Sequence, residues 1–468
     1  MCEARDEANG GDAQGKQSRE NEVHYRLAGR TAQRGTASSH PRILVLLGPA
    51  VGPVIQMNTP VPSRQQSLRP SAGYRLWLLA IGLTLLLGGS ASAAERFVWF
   101  GCYTGKPPRG DGISVARYDE TTGRFGPVSS AGTVTNPSFL ALHPTLPVLY
   151  AVSEIADLNG QPTGGITSFT IDEETGHLTK QSVQPSDGRG PCHLSVDPSG
   201  RVLLAANYGS GSTICLGLEA DGSLKPIVPT SSDAPGGFLQ HGGNGPNKSR
   251  QQTPHGHSID PTPDGRFAVS CDLGADRVFV HALNVEAATL SLQSDAATQP
   301  GGGPRHFVLH PSRPFGYANN ELTMTVTAFQ FDPEAGRLAA IQTISTLPDS
   351  VTDRHGFSTA EIAIHPNGRL LYVSNRGHDS LAIFGIDETS GKLTLKGVEP
   401  TRCQTPRHFA LTPDGTRLFA AGQTSHTVTA FTLDPTTGRL SFDGEALQVP
   451  TPVCILFSRP LPPAPDRP

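Results

Sequence analysis

From about residue 95 onward the chain repeats one hydrophobic pattern. An apolar strand, a proline-containing turn and a second apolar strand recur at 136–154 (NPSFLALHPTLPVLYAVSE), 190–208 (GPCHLSVDPSGRVLLAANY), 255–273 (HGHSIDPTPDGRFAVSCDL), 303–322 (GPRHFVLHPSRPFGYANNEL), 359–377 (TAEIAIHPNGRLLYVSNRG) and 405–423 (TPRHFALTPDGTRLFAAGQ). Between them lie hairpins with a polar entry and usually a Gly turn: Asp119 to Phe125, Asp172 to Leu178, Glu219 to Leu224, Asn284 to Leu290, Asp332 to Leu338, Asp387 to Leu393 and Asp434 to Leu440. Short strands punctuated by Pro and Gly, four to a repeat, predict the blades of an all-β propeller. Seven hairpins against six complete first halves leave one blade unfinished. TPVCILFSRP (451–460) and ERFVWFGCYTG (95–105) supply its pieces from opposite ends of the chain. The expectation is a seven-bladed β-propeller whose ring is closed by strands from both chain ends, leaving no open sheet edge. Residues 95–460 give roughly 52 residues per blade, a propeller period.

Composition sharpens this only in part. The 52 glycines and 41 prolines among 468 residues suit a turn-dense β fold. A formal net charge of −4 gives no global basic field, so nucleic acid is not an expected partner. The seven cysteines are scattered, without a C-x-x-C pair; Cys102, Cys192, Cys215, Cys271 and Cys454 fall in or beside apolar runs and read as small buried hydrophobes.

Ahead of the repeat, LWLLAIGLTLLL (76–87) follows Arg64, Arg69 and Arg75 and precedes GGSASAAE. A basic region, a short apolar run and an A-x-A-like site make residues 57–94 a secretory signal with cleavage near Ala93. The run is short for a membrane span, so none is expected in the mature form. Export to the periplasm or medium follows, or a cytoplasmic protein if the segment is not used. Met57 stands where such a signal would start, and polar residues 1–56 read as a disordered or mis-translated extension. The propeller is assigned to 95–460 and a Pro-rich tail to 461–468.

Aligning the blades on Pro144, Pro198, Pro263, Pro311, Pro366 and Pro413 yields two informative columns. The first strand runs down the channel wall and the second returns, so positions six before and ten after the proline meet at one rim. The first column is Ser138, Cys192, His257, Arg305, Ala360, Arg407; the second is Glu154, Tyr208, Leu273, Glu321, Arg376, Gln423. Packing positions would be apolar and alike from blade to blade. These are polar and differ, as a site built on a symmetric scaffold requires, although a solvated rim is also polar. Position minus five (His193, Ser258, His306, Glu361, His408) is polar too; strand alternation would turn some of these between blades. His255 and His257 form an H-x-H pair, but no further ligand has diagnostic spacing, so no metal is expected. There is no G-x-S-x-G elbow and no phosphate-binding Gly loop. What remains is a His, carboxylates and guanidiniums around a pit. Such groups can move a proton from water, clamp a small anion and stabilise an oxyanion in the opening or formation of an ester or lactone.

At these residues the chain resembles the lactonase family of seven-bladed propellers, which includes propeller-type 6-phosphogluconolactonase and the fungal carboxymuconate lactonizing enzyme. The resemblance spans about residues 96–458. It rests on GHSIDPTPDGRF, GPRHFVLHP followed by NNEL, LYVSNR, and TPRHFALTPDG leading to AAGQTSHTV. It implies a catalytic set of His257, Arg305, Glu321 and Arg376, with His257 and Glu321 moving protons and the arginines binding anion. Arg407, Gln423 and His193 are further substrate-binding candidates. It implies hydrolysis of 6-phospho-D-glucono-1,5-lactone to 6-phosphogluconate by a monomer without cofactor. Two alternatives stay open: a non-catalytic exported propeller binding cell-surface or protein partners, since LYVSN resembles Y-V-T-N repeats, and a lactone-forming cycloisomerase using the same residues. DAPGGFLQHGGNGPNKSRQQT (233–253) lengthens one blade just before His257 and is expected to be a loop over the channel mouth that gates or reshapes the pocket, or else an ordinary disordered surface loop.

Overall fold

The computed structural model describes residues 95–106 and 109–461. The candidate signal at 57–94, the extension at 1–56 and all but the first residue of the tail lie outside them. Seven antiparallel sheets form, one per blade, and no helix occurs among the described residues. In the fourth blade, for example, Pro304–Leu309 is innermost, followed outward by Phe315–Asn320, Thr325–Asp332 and Arg337–Ser345. The split blade is closed as expected: Pro452–Phe457 pairs with Glu95–Cys102, with Val98 opposite Phe457 and Gly101 opposite Cys454. Leu461, the first residue of the expected tail, donates its N–H to the Glu95 carbonyl at 2.8 Å.

The second strand of each blade is apolar along its whole length because both its faces are covered. Val202–Asn207 and Phe267–Asp272 are buried at every position. The cores lie between blades: Val148, Tyr150 and Ile166 of the first full blade pack with Leu194, Leu203 and Ile214 of the next.

Polar latches repeat around the ring. Tyr150, Tyr317 and Tyr372 donate their hydroxyls to the carbonyls of Gly222, Gly391 and Gly438 in the neighbouring blade's hairpin, at 2.7, 3.0 and 3.1 Å. Trp99 does the same to Gly176 through Nε1. The histidines before three turn prolines form a second set. His143, His310 and His365 accept turn N–H groups at Nδ1, which leaves Nε2 to donate to Gly200, Gly368 and Gly415 of the next blade. Tyr372→Phe keeps the ring's shape but strands the Gly438 carbonyl, so urea unfolding should show a loss of about 1–2 kcal/mol at unchanged m-value.

Candidate active site at the channel mouth

The inner strands do not reach the mouth as regular strands. In six blades the inner strand carries one extra residue there. In the third blade Gly256 faces Asp272 while Ser258 faces Cys271, leaving His257 unpaired; Arg305 and Arg407 are displaced in the same way, as are Cys192 and Val453. Such a bulge re-aims side chains. Two neighbours can then face the channel together, and Arg305 Nη1 lies 3.0 Å from His306 Nε2. The alternation expected from a regular strand fails at this point for that reason.

The two rim columns meet around Glu321. Its Oε2 lies 3.2 Å from Arg305 Nε, 3.1 Å from Arg376 Nη2 and 3.8 Å from His257 Nε2. Its Oε1 accepts from Arg250 Nη2 at 2.8 Å. Arg305 also donates Nη1 to the Ala360 carbonyl at 2.5 Å, and Arg376 Nη2 bonds the Thr359 carbonyl at 3.1 Å. The buried Arg376 Nε has no hydrogen-bond partner, and Arg305 Nε meets Glu321 Oε2 as an ion pair without an aligned hydrogen bond. Arg407 sits over the Tyr103 ring, 5.5 Å from its centroid, and the Tyr103 hydroxyl donates to Glu154 at 2.9 Å. Four guanidiniums thus face the carboxylates of Glu154 and Glu321, with Glu361 near Arg305, so positive charge is in excess at the mouth.

The electrostatics follow from burial and this charge set. Burial pushes the Glu321 carboxyl up, but Arg376, Arg305 and Arg250 together pull it down to about 2, so it is ionised at neutral pH. Burial, seconded by Arg305, His306 and Arg407, holds His257 well below the usual imidazole range and therefore neutral. Burial also brings Arg376 down to about 10 against the pull of Glu321, so it stays charged. Cys192, read from sequence as a packing residue, has Sγ 3.6 Å from His257 Nδ1.

His193 does not join this cluster. It lies in the channel with its ring 4.1 Å from that of Phe139 and 5.2 Å from that of His306. With His306, His408 and Glu361 it forms a layer whose proton positions are fixed. Arg305 can only donate, so His306 Nε2 accepts and its Nδ1 donates to Glu361 at 3.1 Å. His408 Nδ1 accepts from the Ile455 N–H, which leaves its Nε2 proton toward Glu361 at 3.3 Å. Gln423 follows its strand at the rim, with its buried Oε1 unpartnered. His255 is turned away: its Nδ1 donates to the Tyr208 carbonyl at 2.8 Å and its ring stacks on Tyr208.

Sequence reasoning missed two site residues. Tyr103 is the second-column member of the split blade, hidden because that blade has no turn proline. Arg250 belongs to no repeat position; it comes from the long segment before His257. That segment is not wholly an insertion, since Phe238–Gln240 is the outer strand of its own blade.

Against known proteins, the profile of the family described as Lactonase, 7-bladed beta-propeller matches residues 97–457. A 6-phosphogluconolactonase of Bacillus subtilis is 35% identical over 357 residues, 76% of this chain and 97% of that protein. A 6-phosphogluconolactonase of Formosa agariphila is 35% identical over 320 residues, covering 67% of this chain and 86% of its own. The solved structure of a periplasmic gluconolactonase from Pseudomonas aeruginosa superposes with a TM-score of 0.71 at 30% identity, over 79% of this chain and all of that one.

The neutral histidine layer makes stability pH-dependent. Burial, partly offset by Glu361, lowers His408 to about 4, and burial lowers His193, His257 and His306 as well. A folded-state value below the unfolded 6.5 means that below pH 6.5 the unfolded chain binds more protons. The contribution of these neutral histidines is therefore complete above pH 6.5 and lost as pH falls through their folded-state values, which for His408 alone amounts to about 3 kcal/mol by pH 4. Melting curves from pH 7.5 to 4.5 should show a steep drop in Tm below 6.5, and a flat profile would contradict the assigned neutral forms.

Proposed function

The chain belongs to the seven-bladed β-propeller lactonase family, and on that footing we propose that it hydrolyses a sugar lactone at the channel mouth, with 6-phospho-D-glucono-1,5-lactone the first substrate to test. One observation carries the reading: four guanidiniums converge beside a neutral imidazole and a bound carboxylate. Neutral His257 takes a proton from water as the water oxygen attacks the lactone carbonyl carbon. The carbonyl oxygen becomes an oxyanion, which the adjacent guanidiniums of Arg305 and Arg376 stabilise. The ring C–O bond then breaks, the departing oxygen receives a proton from His257, and the open-chain acid loses its own proton to solvent.

Glu321 has a different part in this scheme from that implied by resemblance alone. A carboxyl brought to about 2 by three arginines is a weak base. It serves better to hold Arg305 and Arg376 together and to orient His257. A pure binding propeller has no use for such a mixed rim, and the cycloisomerase reading runs the same chemistry toward ring closure; neither is favoured.

We also infer export through the 57–94 segment, which the family's periplasmic gluconolactonase relative supports as a precedent. An exported enzyme would stand apart from the cytosolic pentose phosphate pathway. Mass spectrometry of protein recovered from the cell's exported fraction should find a mature chain starting near Glu95; a cytoplasmic full-length chain would oppose it.

Arg305→Ala should lower kcat for lactone hydrolysis by about 10²–10³-fold, the effect of losing one oxyanion donor, while the protein stays folded by circular dichroism. With the base shifted below 6.5, the acid limb of kcat/KM should lie below pH 6.5 and activity should be level from 6.5 to 8. An acid limb centred at 6.5 would remove His257 from the role of base.

A further inference from the structure

The segment 241–253, which links the second and third full blades, brings Arg250 to the mouth and is pinned at both ends by buried carboxylates. His241 Nδ1 lies 2.8 Å from Asp272 Oδ2, both side chains being fully buried. Gln251, fully buried, donates Nε2 to the Leu273 carbonyl at 2.8 Å and to Asp276 Oδ1 at 2.5 Å. Asp276 in turn accepts the N–H of Gly301 and of Gly303, two residues before Arg305, at 2.7 and 2.8 Å. The Thr253 carbonyl oxygen sits only 1.9 Å from where a Cβ on Gly274 would be, so no side chain fits between them. Asn247 closes the turn, its Oδ1 accepting the N–H of Ser249 and of Arg250. This segment is therefore a built wall of the site, and only the outer part of the Arg250 side chain is left to move.

Arg250 differs from the guanidiniums carried by the ring. Its side chain is 37% exposed, against 4% for Arg305 and 15% for Arg376. Those two already hold Glu321 Oε2. Arg250 takes Oε1 from the solvent side, together with the Tyr208 hydroxyl at 3.0 Å. We propose that Arg250 determines substrate specificity: it binds the anionic substituent, phosphate or carboxylate, that a lactone carries away from the scissile ester. On binding, one ligand oxygen replaces Glu321 Oε1 on the guanidinium, whose planar fork suits a two-point contact with such a group. The excess of positive charge at the mouth draws the same class of ligand. An uncharged lactone offers nothing in exchange and leaves Arg250 on Glu321. The inference rests on the lactone-hydrolase reading and names its substrate class.

The test compares wild type, Arg250→Ala and Arg250→Lys. Two quantities are read: kcat/KM for 6-phosphogluconolactone against glucono-1,5-lactone, and calorimetric Kd for 6-phosphogluconate against gluconate. Wild type should prefer the phosphorylated partner in each pair. Arg250→Ala should cut that preference by about 100-fold, as expected for truncating one side of a partly desolvated charge pair, with Arg250→Lys between the two. Equal losses on both lactones would overturn the proposal and leave Arg250 as a support for Glu321. A wild type without preference would overturn it as well. Turnover of neither lactone would sink the hydrolase reading, and the binding arm would still decide: a preference for 6-phosphogluconate that Arg250→Ala abolishes upholds Arg250 as the anion reader, and an unchanged preference rejects it.

Discussion

Everything at the mouth depends on the pairing of Pro452–Phe457 with Glu95–Cys102. That ladder turns seven sheets into a ring, and only in a ring does every second strand have a neighbour on both faces. Closure therefore secures the inter-blade cores, and the tyrosine, tryptophan and histidine latches then fix each blade's height relative to the next. The site needs this stiffness. Arg305 and Arg376 repel each other, and each loses hydration when buried, so neither would remain beside Glu321 on a yielding support. Their backbone positions are set by strands that packing holds from both sides.

On that rigid frame the bulges make the channel wall chemically dense. A regular strand offers one side chain in two to the channel. With one extra residue near the top, Arg305 and His306 both face it, and the layer of His306, His408 and Glu361 lies against the arginine cluster. The fixed proton positions in that layer give Arg305 an acceptor of defined orientation. The guanidinium is thus held from three directions, by Glu321, His306 and the Ala360 carbonyl.

The repeat was legible in the sequence because it is a matter of period and turn chemistry, and both are local. The same alignment brought His257, Arg305, Glu321 and Arg376 to one rim, because the distance from turn to rim is the same in every blade. Other features leave no mark in a one-dimensional pattern. A bulge adds one residue to a strand without changing its hydrophobicity, so the shared orientation of Arg305 and His306 could not be read. Arg250 lies between repeats, where a column has nothing to align. Tyr103 stood on a half-blade separated from its other half by the whole ring. His193 was chosen for polarity beside a motif, and polarity alone does not distinguish the mouth from the layer beneath it.

The split blade also sets an order of events. Synthesis and any passage across a membrane run from the N-terminus, and the strand that closes the ring emerges after every other strand of the propeller. By residue 407 every side chain of the cluster exists, yet the ring that carries them stays open until residues 452–457 find a partner made more than three hundred residues earlier. An interrupted chain carries all the chemistry on an open ring, and the frame is finished only when its two ends have met.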